Sequence, residues 1–324
     1  MAEWLVEEGI GEHRAVLLDG GEIAAARIDW PGGLRRGQVE DAVLVARTSG
    51  SSRGTARFAG GEEALVDRLP REASEGAALR LEVLRSAIPE PKRRKLAQAR
   101  PTTAPLLPAP TLAQSLRLEG HALGVVRAFP DCGWNELWDD AWSGTCGFAG
   151  GTFHFAPTPA MTVVDIDGTL PPRDLARQAV QPLAAALRRF DVGGNIGIDF
   201  PTLEAREDRR AIDLALAEAL DDWPHERTAI NGFGFVQLVA RLVRPSLLQL
   251  VQFDPAGASA RRLLRQAERV EQPGTLLLSC HPAVRQALHA SWLDDLARRS
   301  GRLIQLAEDP GLAPEAGFAQ AVPT

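Results

Sequence analysis

Two short apolar stretches in the middle of the chain end in aspartate. Val163-Val164 runs into Asp165, with Asp167 two residues later, and Ile196-Gly197-Ile198 runs into Asp199. Ligands of α/β folds bind beyond the carboxyl ends of strands, so two neighbouring strands with these ends would bring the carboxylates of Asp165 and Asp199 together. Like charges at close range need a cation or a shared proton. Oxygen ligands with positions open to water and phosphate describe a magnesium site.

Aspartate at the end of a strand also has a structural use, because its side chain caps turns and the first turn of a following helix. For one such residue the structural interpretation is favoured. Two strands that end in the same way leave the structural and the metal-binding interpretations both open.

The elements around these aspartates follow an α/β pattern from residue 151 onward. TFHFAPTPAMTVVDIDG predicts two strands that meet at residues 157–159, and NIGIDF predicts another strand. DLARQAVQPLAAALRRF and residues 204–220 predict helices, and GFVQLVARLV fits either a helix or a strand. A last unit, residues 257–324, alternates helix ASARRLLRQAERV, strand TLLLS, helix PAVRQALHASWLDDLARRS and strand RLIQLAE.

The first third of the chain has short β-type runs instead. Residues 12–30 predict two strands around the turn Asp19-Gly20-Gly21. Residues 34–88 hold further short runs between Gly- and Ser-rich turns, which favours a small β-barrel. The proline-rich segment 97–112 is typical of a linker, and Trp134, Trp138 and Trp142 share one face of a predicted helix, as core residues would.

Length and composition set the class of protein. The chain has 324 residues, 45% of them hydrophobic and 24% charged, which fits a globular protein of two or three domains. It contains no apolar run of membrane-spanning length and no signal peptide at its start, and its three cysteines are too few for a disulfide framework. We therefore expect a cytoplasmic protein that does not associate with membranes.

The charge is unevenly distributed. The net charge is −6, but residues 35–100 hold 14 Arg and Lys against nine Asp and Glu. This local excess of five positive charges indicates either one nucleic-acid-facing module on an acidic body or simple drift in an arginine-rich composition.

Two families contain motifs like those of the central segment. VVDIDGTL alone resembles the haloacid-dehalogenase motif, in which Asp165 would be the phosphate-accepting nucleophile and Asp167 the acid/base. That motif usually opens its domain, whereas here it lies in the middle of the chain, and the family also uses a later Lys or Arg and an acidic pair. No Lys follows Lys95, so an Arg would have to substitute, and Asp221-Asp222 is the candidate for the acidic pair.

The longer match is to the ribonuclease E/G family. GGTFHF and PTPAMTVVDID resemble that family's "SGG, strand, PTEAL, strand, D-[IV]-N", and LAAALRRFDVGGNIGIDF resembles its helix ending in "LRDLGG" followed by "IVIDF". The likeness continues through Arg210-Ala211-Ile212, NGFGF and RPSL, and HRAVLLDGGEI resembles the family's N-terminal "TRVALIDGG" hairpin.

The resemblance implies an α/β multidomain fold with a deoxyribonuclease-I-like and RNase-H-like catalytic core, an inserted OB-fold β-barrel and a small C-terminal α/β domain. The implied divisions are the N-terminal hairpin of the RNase-H-like part (1–33), the OB-fold RNA-binding domain (34–96) and a linker with a reduced RNase-H-like segment (97–149). The catalytic deoxyribonuclease-I-like domain (150–256) and the small α/β domain (257–324) follow.

The resemblance also implies the chemistry. Asp165 and Asp199 align with the family's two magnesium-binding aspartates, and Asp167 replaces its catalytic Asn. We expect a Mg²⁺-dependent endoribonuclease that cleaves single-stranded RNA to 5′-phosphate products, with Mn²⁺ as an alternative ion. Asp167 cannot donate a hydrogen bond as the amide of Asn does. This difference affects the expected rate of cleavage more than the expected metal site. A non-catalytic RNA-binding regulator on the same fold is the alternative.

The chain departs from the family at three places. No CPxC zinc link follows Pro245-Ser246-Leu247, so we expect no zinc and no zinc-linked dimer, although another oligomer remains compatible with the sequence. The segment that holds the family's 5′-monophosphate sensor is short, which predicts that cleavage is indifferent to the 5′ end. Gly232 replaces the arginine before "FGL", which removes a phosphate contact.

The expected RNA contacts lie in and beside the barrel. Phe58, with Arg53 and Arg57 nearby, could stack on one base, although a half-buried barrel Phe would look the same in the sequence. Arg85, Lys92, Arg93, Arg94 and Lys95 form a basic edge that could follow phosphates, or else a solvated linker.

Overall fold

The structure is a computed structural model that describes residues 3–323. Strands dominate the first hundred residues, and helices and strands alternate in the rest of the chain. The strands are β1 (Glu3–Glu8), β2 (His13–Asp19), β3 (Glu22–Asp29), β4 (Val39–Arg47), β5 (Gly54–Phe58), β6 (Glu63–Val66), β7 (Ala78–Arg85), β8 (Ile88–Glu90), β9 (Arg93–Lys95), β10 (Ala97–Pro101), β11 (Leu123–Val126), β12 (Thr145–Phe148), β13 (Gly151–Pro157), β14 (Thr162–Gly168), β15 (Gly194–Asp199), β16 (His225–Arg227), β17 (Phe235–Ala240), β18 (Thr275–Cys280), β19 (Ile304–Glu308) and β20 (Phe318–Val322). The helices are α1 (Leu112–Leu118), α2 (Trp134–Ser143), α3 (Pro172–Arg189), α4 (Arg206–Ala219), α5 (Leu247–Phe253), α6 (Pro255–Ala267), α7 (Pro282–Ala287) and α8 (Ala290–Ser300), and a 3-10 turn spans Pro314–Ala316.

The first sheet has the strand order β11-β1-β2-β3 and contains the predicted hairpin of residues 12–30. Helix α1 covers one face, where Leu112 and Leu116 meet Trp4 and Val6. The opposite face, which carries Val16, belongs to the large core described below.

The predicted barrel is confirmed as a closed ring of five strands in the order β10-β6-β5-β4-β7. Its closing strand, β10, lies beyond the expected boundary at residue 96, so the expected linker is strand in its first residues. In β10 the small side chains of Ala97 and Ala99 point into the barrel and alternate with those of Gln98 and Arg100, which do not. Two alanines give little hydrophobic signal, which is why the sequence pattern did not predict this strand.

The central sheet has six strands in the order β12-β13-β14-β15-β17-β16. Strands β14 and β15 are parallel and are joined by α3, whereas the other pairs are antiparallel. Helix α3 contacts both this sheet and β3 of the first sheet. Residues from both sheets, α2, α3, α4 and α5 form one continuous hydrophobic core. The expected divisions at residues 33 and 149 therefore do not separate independent cores.

The C-terminal unit is a three-stranded sheet, β19-β18-β20, with helices α6, α7 and α8. The single helix predicted over 282–300 is two helices, because the chain turns at Leu288 and His289. A fully buried carboxylate, Glu7 of β1, joins this unit to the first sheet through ion pairs with Arg265 and Arg269 of the C-terminal unit.

The architecture is thus a mixed α/β fold with an inserted closed barrel, as the sequence predicted. The segment that fitted a helix or a strand forms β17, and the tryptophan-rich segment forms α2, with Trp134 and Trp138 in the core. Within residues 3–323, no helix has both the length and the apolar character needed to cross a membrane.

Candidate metal and nucleic-acid site

Asp165 and Asp199 lie side by side near the ends of two parallel strands. In the pairing of β14 with β15, Asp165 is the direct partner of Asp199. Val164, Ile166 and Ile198 are buried in the central core, so strand alternation places both aspartates on the opposite, exposed face. Because neighbouring strands are about 4.8 Å apart, the two carboxylates occupy one location on that face.

The two carboxylates influence each other electrostatically. Burial, and after it the negative charge of Asp165, raises the pKa of the Asp199 carboxyl above its ordinary value. Two like charges on neighbouring strands favour a bound cation or a shared proton.

This donor set fits Mg²⁺. Protein-bound Mg²⁺ is usually held by one or two carboxylates, with waters and substrate phosphates completing its shell. No group of three or more His, Cys, Asp or Glu able to hold a metal occurs in the described range 3–323. Asp165 and Asp199 would hold Mg²⁺ by two oxygen ligands and leave the other positions to water and a phosphate.

Asp167 and His154 extend the polar surface beside the pair. Asp167 lies on the same exposed face as Asp165, two residues further along β14. His154 of β13 is the register partner of Asp165, and its Nε2 is 3.6 Å from Oδ2 of Asp167. His154 faces outward and lies next to the predicted site residues.

On the other side of Asp199, an aromatic ring forms the floor of the site. Phe235 of β17 is the register partner of Asp199. Its ring lies over Gly197, because a Cβ added at Gly197 would clash with the edge of the ring. The same Cβ would lie 3.1 Å from the Met161 sulfur. Gly197 is therefore the position at which the sheet makes room for the Phe235 ring.

The turn before β17 presents a second aromatic ring that the sequence analysis missed. Phe233 is 83% exposed, whereas the next residue, Gly234, is buried. The turn is held by Asn231, whose Oδ1 accepts the backbone N–H groups of Phe233 at 2.8 Å and Phe235 at 3.1 Å. A large apolar residue inside an Asn-Gly turn sequence was the available signal, because such turns ordinarily carry small or polar residues.

The barrel residues expected to contact RNA fall into two groups. Phe58 is only 3% exposed and belongs to the barrel core, so the expectation that its ring stacks on a base is wrong. Arg53 and Arg57 are exposed, with Arg53 paired to Asp67 at 2.9 Å and Arg57 to Glu63 at 2.7 Å.

The expected basic edge is confirmed as an exposed surface except at Arg85. Arg85 is buried, and its guanidinium donates to the carbonyl of Leu96 at 2.7 Å, so it cannot follow an RNA backbone. The other four residues lie on the small hairpin β8–β9 and are exposed: Lys92, Arg93, Arg94 and Lys95. Arg93 pairs with Glu90 at 2.6 Å.

A large cleft lies away from the aspartate pair. Its volume is about 1050 Å³, and its walls include Arg35, Arg36, Arg241 and Arg244. Arg241 follows Ala240, which pairs with Gly194 at the first residue of β15. Asp199 is the last residue of that strand, about 16 Å away at 3.3 Å per residue. The aspartate pair therefore lies on an open sheet face and not inside this cleft.

The acidic pair that the phosphatase alternative needs also lies elsewhere. Asp221 and Asp222 follow α4, which begins after β15 and is about 20 Å long at 1.5 Å per residue. Asp222 forms an ion pair with Arg188 near the end of α3. Asp221 and Asp222 therefore lie one helix length from the start of α4, which is the end that follows Asp199. The phosphatase alternative thus lacks an acidic pair beside Asp165.

No model of a known protein family matches the chain. Two neighbouring carboxylates on an exposed sheet face, with further acceptors and aromatic rings around them, can bind a divalent cation and admit an extended polyanion.

Proposed function

We propose that the protein is a magnesium-dependent endoribonuclease of the ribonuclease E/G type, which hydrolyses single-stranded RNA to 5′-phosphate and 3′-hydroxyl ends. The observation that carries this proposal is the direct pairing of Asp165 with Asp199 across β14 and β15 on an exposed face. In this proposal the six-stranded sheet is the deoxyribonuclease-I-like part, the first sheet the RNase-H-like part and the barrel the OB-fold.

Asp165 and Asp199 hold the magnesium ion. When bound, the ion polarises the phosphodiester and lowers the pKa of a coordinated water. Asp167 accepts a hydrogen bond from the attacking water and so orients its lone pair toward phosphorus. His154 lies beside that carboxylate, with its Nε2 3.6 Å from Oδ2 of Asp167. Water adds to phosphorus as the bond to the 3′-oxygen breaks. The attacking water gives up a proton to solvent, and a solvent water protonates the departing 3′-oxygen.

Single-stranded RNA is the substrate class that best fits the surroundings of the pair. An open sheet face accepts an extended strand, whereas the bases of a duplex are stacked inward and inaccessible to aromatic rings. Away from the pair, Arg93 and Arg94 of the exposed hairpin β8–β9 line the large cleft and add positive charge that can follow phosphates. The protein would act without regard to the 5′ end, as the short segment 97–149 predicts.

The departures from the resembling family favour the second candidate, an RNA-binding regulator without catalysis. Asp167 stands where that family has Asn, and Gly232 stands where it has an arginine. Loss of a phosphate-contacting arginine lowers the stabilisation of the transition state while leaving binding through the basic hairpin intact.

Cleavage of a short, unstructured, AU-rich RNA with Mg²⁺ tests the proposal. We expect cuts that leave 5′-phosphates, that stop on addition of EDTA and that are lost in Asp165→Asn and Asp199→Asn. The matched control is Asp294→Asn, an exposed aspartate of the C-terminal unit, which should cut like the wild type. RNA binding by the wild-type protein without any Mg²⁺-dependent cut would contradict the nuclease proposal and favour the regulator. Turnover of para-nitrophenyl phosphate that disappears in Asp165→Ala would instead favour the phosphatase.

A further inference from the structure

The turn of residues 231–234, between β16 and β17, displays an aromatic ring in a way that the fold itself does not require. Phe233 is the most exposed large hydrophobic residue of the described range 3–323, at 83%. Hydrophobic folding drives rings of this size out of water. Single exposed hydrophobic residues are nevertheless common on protein surfaces, so the case for a ligand contact depends on the position of Phe233 beside the strand end that carries Asp199.

The turn is built rigidly and holds the ring outward. Asn231 accepts hydrogen bonds from the backbone N–H groups of Phe233 and Phe235, and the N–H of Gly234 donates to the carbonyl of Asn231 at 3.2 Å. Gly234 has φ +90°, and a Cβ there would clash with the carbonyl oxygen of Phe200. The small residue is therefore fixed against the sheet, and the large one is directed away from it.

The same turn is tied to the aspartate pair. The N–H of Phe200, the residue after Asp199, donates to the carbonyl of Gly234 at 3.2 Å. Phe235 is the register partner of Asp199, and two residues of chain span at most about 7 Å. The backbone of Phe233 therefore lies within about 7 Å of the residue that pairs with Asp199.

We propose that Phe233 is a stacking platform for a nucleobase next to the phosphate bound at Asp165 and Asp199. This inference rests on the proposed RNA substrate and adds a positioning contact for it. A face of a ring accepts any base, so the contact fixes the position of the strand with little sequence preference. A protein partner is the less favoured occupant, because Phe233 is a single ring flanked by exposed Asn231 and Gly232 and not part of a broad apolar patch.

Binding of a fluorescein-labelled, unstructured RNA in EDTA tests the inference apart from catalysis. We expect Phe233→Ala to weaken binding by about 5-fold to 150-fold, the range for loss of one stacked base. Phe233→Trp should restore binding, whereas Phe233→Leu, which is apolar but has no π-face, should not. The matched control is Phe318→Ala, an exposed phenylalanine at 42% in the C-terminal unit, which should leave binding unchanged.

An RNA with one abasic nucleotide beside the cleavage position sharpens the test. The abasic RNA should bind wild-type protein as weakly as intact RNA binds Phe233→Ala, and combining the two changes should cause no further loss. Unchanged RNA affinity in Phe233→Ala would overturn the inference even if the wild type cuts RNA. A change in oligomeric state on sedimentation of Phe233→Ala would overturn it in favour of a protein partner. If the wild type binds RNA through Phe233 but does not cut it, the nuclease proposal fails and the stacking role stands.

Discussion

Replacing Glu7 with glutamine should remove the strongest link between the first sheet and the C-terminal unit. The Glu7 side chain is completely buried. It pairs with its cross-strand neighbour Arg14 at 2.7 Å, with Arg265 at 3.5 Å and with Arg269 at 2.9 Å. Glu7→Gln keeps the shape of the side chain but leaves these arginines without their shared counter-charge.

The size of the effect follows from which arginines are left buried. The side chains of Arg14 and Arg265 are 6% and 7% exposed, so water cannot replace the lost charge there, whereas Arg269 is partly exposed and is screened. Removing one partner of a buried ion pair costs about 3–5 kcal/mol. Arg265 keeps a second carboxylate, Glu268, at 3.4 Å. We therefore expect the loss of unfolding free energy to stay within this range, although two buried arginines lose their shared partner.

The contribution of Glu7 to the free energy of unfolding depends on pH. Burial opposes ionisation of Glu7, but the charges of Arg14 and Arg265 and the hydrogen bonds from Arg14 and Arg269 outweigh burial and lower the pKa of Glu7. A carboxyl with a lowered folded-state pKa stabilises the fold above its unfolded pKa, near 4.5, and this contribution is lost as the pH falls through the folded-state value. The difference in unfolding free energy between wild type and Glu7→Gln should therefore be largest at pH 7 and should shrink below pH 4.5.

Urea unfolding at pH 7 and at a series of lower pH values measures both quantities. The control is Glu8→Gln, which removes the charge of an exposed neighbour on the same strand and should change stability by less than about 0.5 kcal/mol. A loss below about 1 kcal/mol for Glu7→Gln, or a difference that grows as the pH falls, would refute the reasoning.

Three further changes have defined outcomes. Gly234→Ala places a Cβ against the Phe200 carbonyl at a residue with φ +90°, so it should lower the free energy of unfolding, measured with urea, by more than about 1 kcal/mol. Gly232 has open space around it, so Gly232→Ala should have little effect. Equal effects of the two substitutions would contradict the described turn. Phe58→Ala should destabilise the protein by about 3–5 kcal/mol because the ring fills the barrel core, and unchanged thermal stability would show that the ring is not buried. Lys92→Ala with Arg94→Ala should reduce the slope of log RNA affinity against log salt by about 0.7 for each phosphate that the protein no longer neutralises, measured by fluorescence anisotropy, and an unchanged slope would mean that the hairpin β8–β9 does not touch RNA.

The sequence predicted that Asp165 and Asp199 lie together because strand-terminal aspartates and buried aliphatic runs are local signals. Val163-Val164 before Asp165 and Ile196-Gly197-Ile198 before Asp199 indicated two strands, and adjacency of the strands follows from the short crossover through α3. The exact register of Asp165 with Asp199 is a property of the assembled sheet, which a single sequence does not encode locally.

The misassigned RNA contacts show where residue type misleads. Phe58 and Arg57 are neighbours, but strand alternation in β5 puts Ala56 and Phe58 inside the barrel and Arg57 outside. Arg85 ends a strand whose inward residues include Leu81 and Val83, so its guanidinium is carried into the protein, where it finds the Leu96 carbonyl. Attention to the two-residue period would have separated these side chains from the exposed ones.

Binding of Mn²⁺, a paramagnetic substitute for Mg²⁺, tests the central claim most directly. Electron paramagnetic resonance titration of the wild-type protein should show one site, and Asp165→Asn and Asp199→Asn should each abolish it, because both carboxylates hold the same ion. The double variant should lose no more than either single one, and Asp294→Asn should bind like the wild type. Mn²⁺ binding that survives in both single variants would contradict the account.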